Sequence, residues 1–476
     1  MKILMLGWEY PPVITGGLGT ATEGLINGLI TIGHQVTLVL PSYPYKIKTK
    51  YLKVVSPENP FTLENEVTNI KNDNFIEKET SFLNTSLNET YNEISDIIEK
   101  KYTQNKISHY NYNIQNKELS TEEKNVIKVK LVEYQEYIRN LNSSEKITST
   151  VKKYFEFTNL NYVNEKCYIL GLLAINILEK DPDYQVIHAH DWMTFTAAKM
   201  IKEIYNIPLV VHIHSTEIDR AGELDNNKQI LMIEQFGIQL SDLVITVSEF
   251  TKNLIVEKFK TPANKIKVVY NASNNQHKSQ EDNNLLTDAL SVPTKTPPTE
   301  KTPIVTFIGR ITFQKGPSYF VTAAEKVIKQ NPNIIFKVVG TGDLLPAMKQ
   351  LTWELGIDKN FQFEGFLNAA GVQKSLQTSD IFIMPSVSEP FGIVALEAIA
   401  QNIPVIISKQ SGVSEVLNHA LKVDFWDTEL MADRILSLLK YKPIRAEMIQ
   451  NSLKDLDNRT WLNSAKILLD AYKEIN

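Results

Sequence analysis

The strongest constraint on the fold lies near the N-terminus, where two short apolar segments flank a glycine-rich loop and an amphipathic stretch. Residues Lys2–Leu6 and 35–40 have the composition of buried strands, and residues 20–32 place apolar side chains at helical spacing. Residues 11–19, between the first strand and the helix, contain two prolines and three glycines. Strand, glycine loop, helix and strand form a βαβ unit, which predicts a parallel sheet covered by helices.

The same alternation returns later and defines two sets of buried parallel strands. Residues 274–301, between the sets, are polar and contain Pro293, Pro297 and Pro298, a composition typical of a linker. We therefore expect an α/β chain with two doubly wound Rossmann-like domains, whose ligands bind beyond the carboxyl ends of the strands. The predicted strands lie at residues 186–189, 209–212, 243–247 and 266–269 in the first set and at residues 305–308, 334–339, 361–363, 381–384, 405–407 and 421–423 in the second.

Residues 45–165 interrupt the first set of strands. They are rich in Asn, Lys, Glu, Ser and Tyr, with few recognisable strands and helical spacing at residues 87–100. A cover over a cleft and a solvated surface segment are both compatible with this composition. We predict an N-terminal domain of residues 1–275 containing this insertion, a C-terminal domain of residues 276–455, and a final helix within residues 456–476 that packs back on the N-terminal domain.

The composition excludes several classes of protein. The 476 residues exceed the size of a single hydrophobic core, and their formal net charge of −5 gives no basis for binding nucleic acid. The single cysteine, Cys167, forms no intramolecular disulfide or cysteine-rich metal site, and we expect it to be buried. Neither a signal peptide nor a membrane-spanning segment is recognisable, so we expect a cytoplasmic protein.

Glycines follow two of the predicted strands. Gly16 and Gly17 lie just before the first helix, and Gly340 and Gly342 follow the predicted strand at residues 334–339. Glycine lets a ligand approach the backbone, and the amides of a helix N-terminus attract phosphate. Taken alone, a tight turn that binds nothing explains each pair at least as well.

Two cations follow the first strand of the second set. Gly309 and Arg310 come directly after the strand, and Lys315 and Gly316 precede a helix that begins near Pro317. An arginine binds two oxygens of a phosphate at once and a lysine adds a point charge, so the pair suits a diphosphate. Two ordinary surface cations are the alternative interpretation.

Two glutamates lie in the loop and helix after the predicted strand at residues 381–384. Glu389 lies in the loop, and Glu397 lies eight residues later, inside the helix. The helical rise gives a separation of about 10–12 Å, which suits one carboxylate at a sugar ring and the other at a ribose. The carboxylates of a retaining glycosidase are much closer, at about 5–5.5 Å. Carboxylates accept paired hydrogen bonds from vicinal hydroxyls, so both glutamates suit a carbohydrate ligand.

The order of these motifs resembles that of the retaining glycosyltransferases of the glycogen synthase and glycosyltransferase 4 families. The resemblance rests on Glu389 and Glu397 at Glu-x7-Glu spacing, on Gly-Arg-x4-Lys-Gly at residues 309–316, and on the N-terminal Gly-Gly loop. Residues 188–192 (His-Ala-His-Asp-Trp) resemble a segment of glycogen and starch synthases. The resemblance covers the chain except residues 45–165 and implies the two-domain GT-B fold.

The resemblance implies a role for each candidate residue. Arg310 and Lys315 bind the diphosphate of a nucleotide-sugar donor, and the Gly16 and Gly17 amides reach its phosphates. Glu397 binds the ribose, and Glu389 and His190 face the transferred sugar. The implied catalytic residues are His190, Arg310, Lys315 and Glu389. The implied donor-binding residues are Gly16, Gly17, Arg310, Lys315, Gly340, Gly342, Glu389, Phe391, Gly392, Ile393 and Glu397.

The sequence indicates neither a metal ion nor a cofactor, because the nucleotide-sugar is a substrate. Asp-Pro-Asp at residues 181–183 resembles the Asp-x-Asp of metal-dependent glycosyltransferases, but it precedes a predicted strand and its proline favours a turn. His212 and His214 follow a predicted strand without a further ligand at metal-binding spacing. We interpret these histidines, with Arg220 and Glu223, as cleft-wall residues on the acceptor side.

The resemblance implies a metal-independent retaining hexosyltransferase that moves glucose from a nucleotide-glucose to an α-glucan, a glycan acceptor. Three alternatives stay open: a family 4 transferase with a lipid or small-molecule acceptor, a nucleotide-sugar epimerase of the same fold, and a non-catalytic sugar-binding protein. Bacterial glycogen synthases have Lys-x-Gly-Gly-Leu where Ile14 and Thr15 precede the glycines here, so the base and sugar of the donor also stay open. The sequence fixes neither linkage nor oligomeric state.

Overall fold

Two all-parallel sheets organise the chain. The computed structural model describes residues 1–13, 16–58, 162–222, 226–273 and 302–475. The strands are β1 (Lys2–Leu6), β2 (Gln35–Val39), β3 (Leu52–Val55), β4 (Val186–His190), β5 (Leu209–Ile213), β6 (Leu243–Thr246), β7 (Ile266–Val268), β8 (Ile304–Ile308), β9 (Ile335–Val339), β10 (Phe361–Gly365), β11 (Ile381–Met384), β12 (Val405–Ser408) and β13 (Leu421–Val423). The first sheet has the order β3-β2-β1-β4-β5-β6-β7 and the second has the order β10-β9-β8-β11-β12-β13.

Helices lie in most connections between consecutive strands, as crossovers between parallel strands usually do. In each sheet the first strand lies inside the order and later strands are added on both sides, which confirms the predicted pair of doubly wound α/β domains. The described α-helices are α1 (Gly17–Thr31), α2 (Tyr162–Lys180), α3 (Trp192–Ile204), α4 (Glu217–Ala221), α5 (Lys228–Leu240), α6 (Glu249–Lys258), α7 (Pro317–Gln330), α8 (Leu345–Glu354), α9 (Ala369–Gln377), α10 (Ile393–Ala400), α11 (Thr428–Lys440), α12 (Lys442–Leu456) and α13 (Trp461–Lys473).

Strand β3 lies inside the stretch that the sequence suggested as an insertion. It pairs in parallel with β2, from Val36 opposite Leu52 to Val39 opposite Val55. The sequence pattern missed it because an edge strand of four residues that includes Lys53 has no long apolar run. The sheet therefore continues at least to Val55 before any insertion begins. The predicted helix at residues 87–100 and the linker at residues 274–301 lie outside the described residues.

The last helix, α13, packs across α1 at a point where α1 has glycines. A Cβ at Gly24 would lie 2.1 Å from Trp461 Cε2, and a Cβ at Gly28 would lie 2.4 Å from the Trp461 carbonyl oxygen. Only a residue without a side chain allows this approach. Ser464 Oγ donates a hydrogen bond of 2.6 Å to the Tyr270 carbonyl, and Tyr472 is fully buried. The apolar face of the C-terminal helix is thus covered by the first domain.

Cys167 is buried in α2, as expected. Its thiol donates to the Met193 carbonyl oxygen at 2.7 Å, and burial raises the pKa of the thiol to about 12. A thiol with a raised pKa is a poor nucleophile, so Cys167 acts as a packing residue. No described helix combines the length and the apolarity that crossing a bilayer requires.

Candidate functional site

The candidate residues lie where the strand order of each sheet reverses. In the first sheet this point lies between β1 and β4, and β4 ends at His190. In the second sheet it lies between β8 and β11, which are followed by Arg310 and by Glu389. Ligands of open α/β sheets bind in the crevice outside the strand ends at such points. Sequence order alone did not show that both reversal points carry the predicted residues.

Two adjacent loops of the second sheet pack backbone against backbone through glycine. Gly340 has φ of +136°, and a Cβ there would lie 1.9 Å from the Gly309 carbonyl oxygen. A Cβ at Gly342 would lie 2.2 Å from the Ile311 carbonyl oxygen. Packing alone therefore explains why Gly340 and Gly342 are glycines. Their effect on the site is to fix the loop that carries Arg310.

The side chains of Lys315 and Glu389 meet at the centre of this loop cluster. Lys315 Nζ lies 2.5 Å from Glu389 Oε2, and Ser386 Oγ donates to the same oxygen at 3.1 Å. Glu389 is 6% exposed, whereas Arg310 is exposed. A buried carboxylate requires a cation and hydrogen-bond donors, which Lys315 and Ser386 supply. The structure thus brings together two residues that are 74 positions apart.

Helix α10 begins directly after this carboxylate. Gly392 has φ of +110°, a left-handed conformation that favours glycine, and precedes the first helical residue, Ile393. The side chains of Phe391 and Ile393 are buried in the core, which leaves only their backbone facing the loop cluster. Glu397 lies inside the helix as predicted, is half-buried, and has a pKa raised by burial.

The glycine loop of the first domain has a different character from Gly340 and Gly342. Gly16 and Gly17 are exposed, and a Cβ at either position would meet nothing within 4 Å. Packing therefore does not require glycine here, and the space over this end of α1 is open. Glu9 Oε1 accepts from the Gly19 amide at 2.9 Å, one turn into the helix. The preceding residues, Ile14 and Thr15, lie outside the described part of the chain.

Four histidines stack along β4 and β5. His190 lies opposite His212 in the sheet register, and His188 and His214 extend the stack with neighbouring ring centroids 4.2–5.3 Å apart. His190 Nδ1 lies 2.8 Å from His214 Nε2, and His188 Nε2 lies 3.2 Å from His212 Nδ1. Burial lowers the pKa of His188 to about 3 and that of His190 well below its usual value. The imidazoles are therefore neutral at physiological pH.

One histidine of the stack is anchored by α13, and its two neighbours each have a ring nitrogen without a described partner. His188 Nδ1 is hydrogen-bonded to the hydroxyl group of Tyr472 in α13. The Nε2 atoms of His190 and His212 are buried without a hydrogen-bond partner among the described residues. A buried polar atom without a partner is costly, and a ligand hydroxyl group would satisfy it.

The spacing of this cluster would permit a metal ion, but the orientation of its rings does not suit one. One ring nitrogen each of His188, His190 and His212 lie within 4.8 Å of one another. The ring planes of His188 and His190 differ by only 13°, and those of His190 and His212 by 26°. An imidazole binds a metal through a lone pair in its ring plane. The planes of His188 and His212 differ by 38°, so the stacked rings of His188 and His190 are the pair that does not direct lone pairs to one point.

The other candidate metal motif has a structural role. Asp181 forms an ion pair with Lys2, which ties the turn before β4 to the start of β1. This ion pair explains why position 181 is an aspartate. Asp181 lies at the amino ends of the strands, away from the carboxyl ends where His190 lies.

The segment after β5 is held by a network of buried carboxyl groups around Arg220. Asp191 has φ of +56°, and its Oδ1 accepts from the His214 amide at 2.7 Å. Burial raises the pKa of Asp191 to about 7. Arg220 contacts the carboxylates of Glu217 and Glu234 at 3.1 and 2.9 Å, and burial raises the pKa of Glu234 to about 8.

These charge contacts change the interpretation of Arg220. Arg220 links helices α4 and α5 through its contacts with Glu217 and Glu234. Contact between Arg220 and the acceptor stays a prediction. Glu223, expected in the cleft wall with Arg220, lies outside the described residues. No sequence pattern identifies Glu234, which reaches Arg220 from a separate helix, α5.

The two domains also contact each other around Glu389. Ser388 Oγ donates to Asp219 Oδ1 at 2.6 Å, and Ser248 Oγ donates to the Pro390 carbonyl oxygen at 2.6 Å. Glu415 accepts from the Glu249 amide at 2.9 Å, at the N-terminus of α6. Sequence reasoning missed these residues because single serines and carboxylates carry no pattern that identifies a partner in another domain.

Comparison with known proteins is consistent with this geometry. Three family models match successive parts of the chain: the starch synthase catalytic domain at residues 2–80, glycosyltransferase family 4 at residues 150–276, and glycosyl transferases group 1 at residues 291–455. The glycosyltransferase MJ1607 of Methanocaldococcus jannaschii is 28% identical over 99% of this chain and 98% of its own. The glycogen synthase of Mycobacterium tuberculosis is 22% identical over 88% of this chain and 80% of its own.

Other relatives and solved structures share the architecture. The D-inositol 3-phosphate glycosyltransferase of Corynebacterium diphtheriae is 24% identical over 61% of this chain and 70% of its own. Sucrose-phosphate synthase from Thermosynechococcus elongatus superposes with a TM-score of 0.63 at 16% identity, covering 100% of this chain and 98% of that one. Anabaena HepE with UDP and glucose gives 0.59 at 15% identity, with 99% of each chain covered.

The two parallel-sheet domains match solved structures of GT-B glycosyltransferases. Models of glycosyltransferase families match in chain order, and a relative named as a glycosyltransferase aligns over 99% of this chain, which supports a nucleotide-sugar glycosyltransferase. The predicted GT-B fold is confirmed.

Proposed function

We propose that this enzyme is a metal-independent retaining glycosyltransferase that moves glucose from a nucleoside diphosphate glucose to an α-glucan. The observation that carries the proposal is the contact of Lys315 Nζ with Glu389 Oε2 at 2.5 Å. In this proposal Lys315 binds the diphosphate and Glu389 binds the sugar. The two side chains meet where the strand order of the second sheet reverses, and His190 lies where the strand order of the first sheet reverses.

The donor diphosphate lies between Arg310, Lys315 and the start of α10 in this proposal. Arg310 is exposed, so its guanidinium is available to two phosphate oxygens. The first amides of α10 have no carbonyl partner one turn earlier and favour an anion. Gly16 and Gly17 leave open space on the facing domain. Glu397, inside α10, accepts hydrogen bonds from the ribose.

The transferred sugar lies between Glu389 and His190. On donor binding, Lys315 turns toward the diphosphate, and the carboxylate of Glu389 accepts hydrogen bonds from sugar hydroxyl groups instead. The Nε2 atom of His190, buried without a described partner, bonds to another sugar hydroxyl group. Since the imidazole is neutral, it orients the sugar without repelling the positive charge that develops on the ring.

The transfer itself is a front-face substitution, in which the acceptor attacks the sugar from the face that the diphosphate leaves, so the configuration is retained. The bond between the anomeric carbon and the phosphate oxygen breaks while the acceptor hydroxyl oxygen bonds to the same carbon. The acceptor proton passes to the leaving phosphate oxygen, whose negative charge Arg310 and Lys315 stabilise. Orientation and charge stabilisation are the contributions of the protein.

Two observations support an α-glucan as the acceptor. The starch synthase model matches the N-terminal residues 2–80, and a glycogen synthase aligns over 88% of this chain. The His-Ala-His-Asp-Trp segment at residues 188–192 lies at the cleft end of β4. A phosphorylated small molecule is the second candidate acceptor, because relatives named D-inositol 3-phosphate glycosyltransferase align over 61% of the chain.

The test is incubation of the purified chain with labelled nucleotide-glucose and a maltooligosaccharide. The proposal predicts longer labelled oligosaccharides that an α-glucan-specific hydrolase degrades. Parallel reactions contain inositol phosphate, fructose 6-phosphate or a lipid extract in place of the oligosaccharide. Label that passes only to one of these would overturn the glucan proposal and leave the transferase class intact.

A further inference from the structure

The two residues beside Glu389 are both held by the opposite domain. Ser388 Oγ donates to Asp219 Oδ1 at 2.6 Å, and Ser248 Oγ donates to the Pro390 carbonyl oxygen at 2.6 Å. Asp219 lies in α4 and Ser248 caps α6, and both helices belong to the first domain. The loop that carries Glu389 is therefore positioned by hydrogen bonds from across the cleft.

The two contacts differ in kind. Ser248 lies in a packed interface, where a Cβ at Gly412 would lie 2.5 Å from Ser248 Cβ. Glu415 adds bonds from the Glu249 and Phe250 amides in the same region. The Asp219 contact joins one side chain to one side chain, and Asp219 is 1% exposed. Close packing would resist loss of the Ser248 bond, whereas the described hydrogen bond from the second domain to Asp219 comes from the single side chain of Ser388.

Asp219 is itself tied to the histidine end of the first sheet. Its second carboxylate oxygen, Oδ2, accepts from the amide and the hydroxyl group of Thr216, each at 2.8 Å. Arg220, the next residue, donates to the Ser215 carbonyl oxygen at 2.9 Å. Asp191, adjacent to His190, accepts from the His214 and Ser215 amides at 2.7 and 3.4 Å.

A continuous series of bonds therefore runs from the end of β4 to the loop of Glu389. It passes from Asp191 through the residues after β5 to the cap of α4, and from Asp219 to Ser388. The series links His190 and Glu389, which lie on different domains and face the same donor sugar in the proposed function.

We propose that Asp219 is a positioning residue that sets the place of Glu389 relative to His190 through its bond to Ser388. The inference rests on the proposed role of Glu389 at the transferred sugar. Loss of the bond would leave the ion pair of Glu389 with Lys315 and the bond from Ser248 to Pro390 intact, but would remove the hold of the first domain on Ser388. Turnover then falls while binding of the nucleoside diphosphate, made by Arg310, Lys315 and Glu397, is retained.

The experiment is a double-mutant cycle of Ser388→Ala, Asp219→Ala and the pair. Ser388→Ala is expected to lower kcat about tenfold, the value of one hydrogen bond to a charged group, with affinity for the nucleoside diphosphate within about twofold. In the Asp219→Ala background the same substitution should lower kcat by less than about twofold, because its partner is already absent. Ser388→Thr, which keeps the hydroxyl group, should restore most of the turnover.

Ser379→Ala is the matched control, since Ser379 Oγ also makes a 2.6 Å bond to another side chain, Thr306 Oγ1, within the second domain and before the start of β11. It should leave kcat unchanged. An equal loss from Ser388→Ala in both backgrounds, or no loss in either, would overturn the positioning role.

A further variant, Glu389→Gln, separates this inference from the proposed function on which it rests. Full turnover in Glu389→Gln would refute the proposed function itself, because that function requires Glu389 at the transferred sugar. Loss of turnover in Glu389→Gln with none in Ser388→Ala would refute only the role of Asp219.

Discussion

Replacing Arg310 and Lys315 one at a time separates donor binding from stability. Arg310 is exposed and forms no ion pair among the described residues. Arg310→Ala thus removes only the contacts made when a diphosphate is bound, worth ~1.5–3 kcal/mol. Affinity for the nucleoside diphosphate should fall at least about tenfold, with no change in melting temperature beyond about 1 °C.

Lys315→Ala should have both effects. It leaves the carboxylate of Glu389, 6% exposed, with Ser386 as its described side-chain donor. Removing one partner of a fully buried pair costs ~3–5 kcal/mol, and the 23% exposure of the Lys315 side chain reduces this to about 2 kcal/mol. For a domain of this size the melting temperature should fall by about 4–8 °C.

The assay combines calorimetric titration with UDP, ADP and GDP and thermal unfolding without ligand. Lys326→Ala is the control, because its ion pair with Glu429 lies on the surface and Glu429 is 75% exposed. It should change neither measurement. Unchanged affinity in both the Arg310 and Lys315 variants would refute the diphosphate assignment, and an equal loss of stability in both would refute the role of the buried pair.

Three further predictions follow from the site. Glu397→Gln should mainly weaken nucleotide binding, because the ribose contacts are the same in the ground state and the transition state. Glu389→Gln should mainly lower kcat, because Glu389 acts at the reacting sugar. Identical kinetic profiles of the two variants would contradict this division. Activity should survive exhaustive chelation, and complete loss restored by manganese or magnesium would count against the proposed cleft. Burial raises the pKa of Glu234 from 4.5 to about 8, so the folded state binds an extra proton between these values and the contribution of Glu234 to stability falls as pH rises through that window. Urea unfolding at pH 5 and pH 8 measures the free energy of unfolding of Glu234→Gln and of the wild type. The variant should gain stability relative to the wild type as pH rises. The same difference in free energy at both pH values would show that Glu234 does not titrate between them.

The architecture could be predicted because each buried strand is a short apolar run between polar segments. Twelve predicted strands match β1, β2 and β4 to β13 within about two residues, a usual error for such boundaries. Strand β3 was missed because Lys53 and its short length give it no buried-strand pattern. Glu397 lies within a helix as predicted, and the strong helix formers Ala395, Leu396 and Ala398 surround it.

The site could be predicted only in part. Motif residues at strand ends come together because parallel strands carry their carboxyl ends to one edge, which places Arg310 and Glu389 in neighbouring loops. The pairing of Lys315 with Glu389, and that of Asp219 with Ser388, depend on side-chain direction and on how two domains face each other. The local sequence predicts neither the direction of these side chains nor the way the two domains face each other. Phe391 shows the same limit, since its position in a motif suggested ligand contact while its side chain packs in the core.

The most direct test of the central claim is nucleotide release measured with and without acceptor. Wild-type protein and Glu389→Gln are incubated with UDP-, ADP- and GDP-glucose, each with and without maltooligosaccharide. A retaining transferase releases one nucleotide per sugar transferred, only when acceptor is present, and Glu389→Gln releases far less. Conversion of the donor to an epimer, or nucleotide release that acceptor does not increase for any donor, would contradict the account.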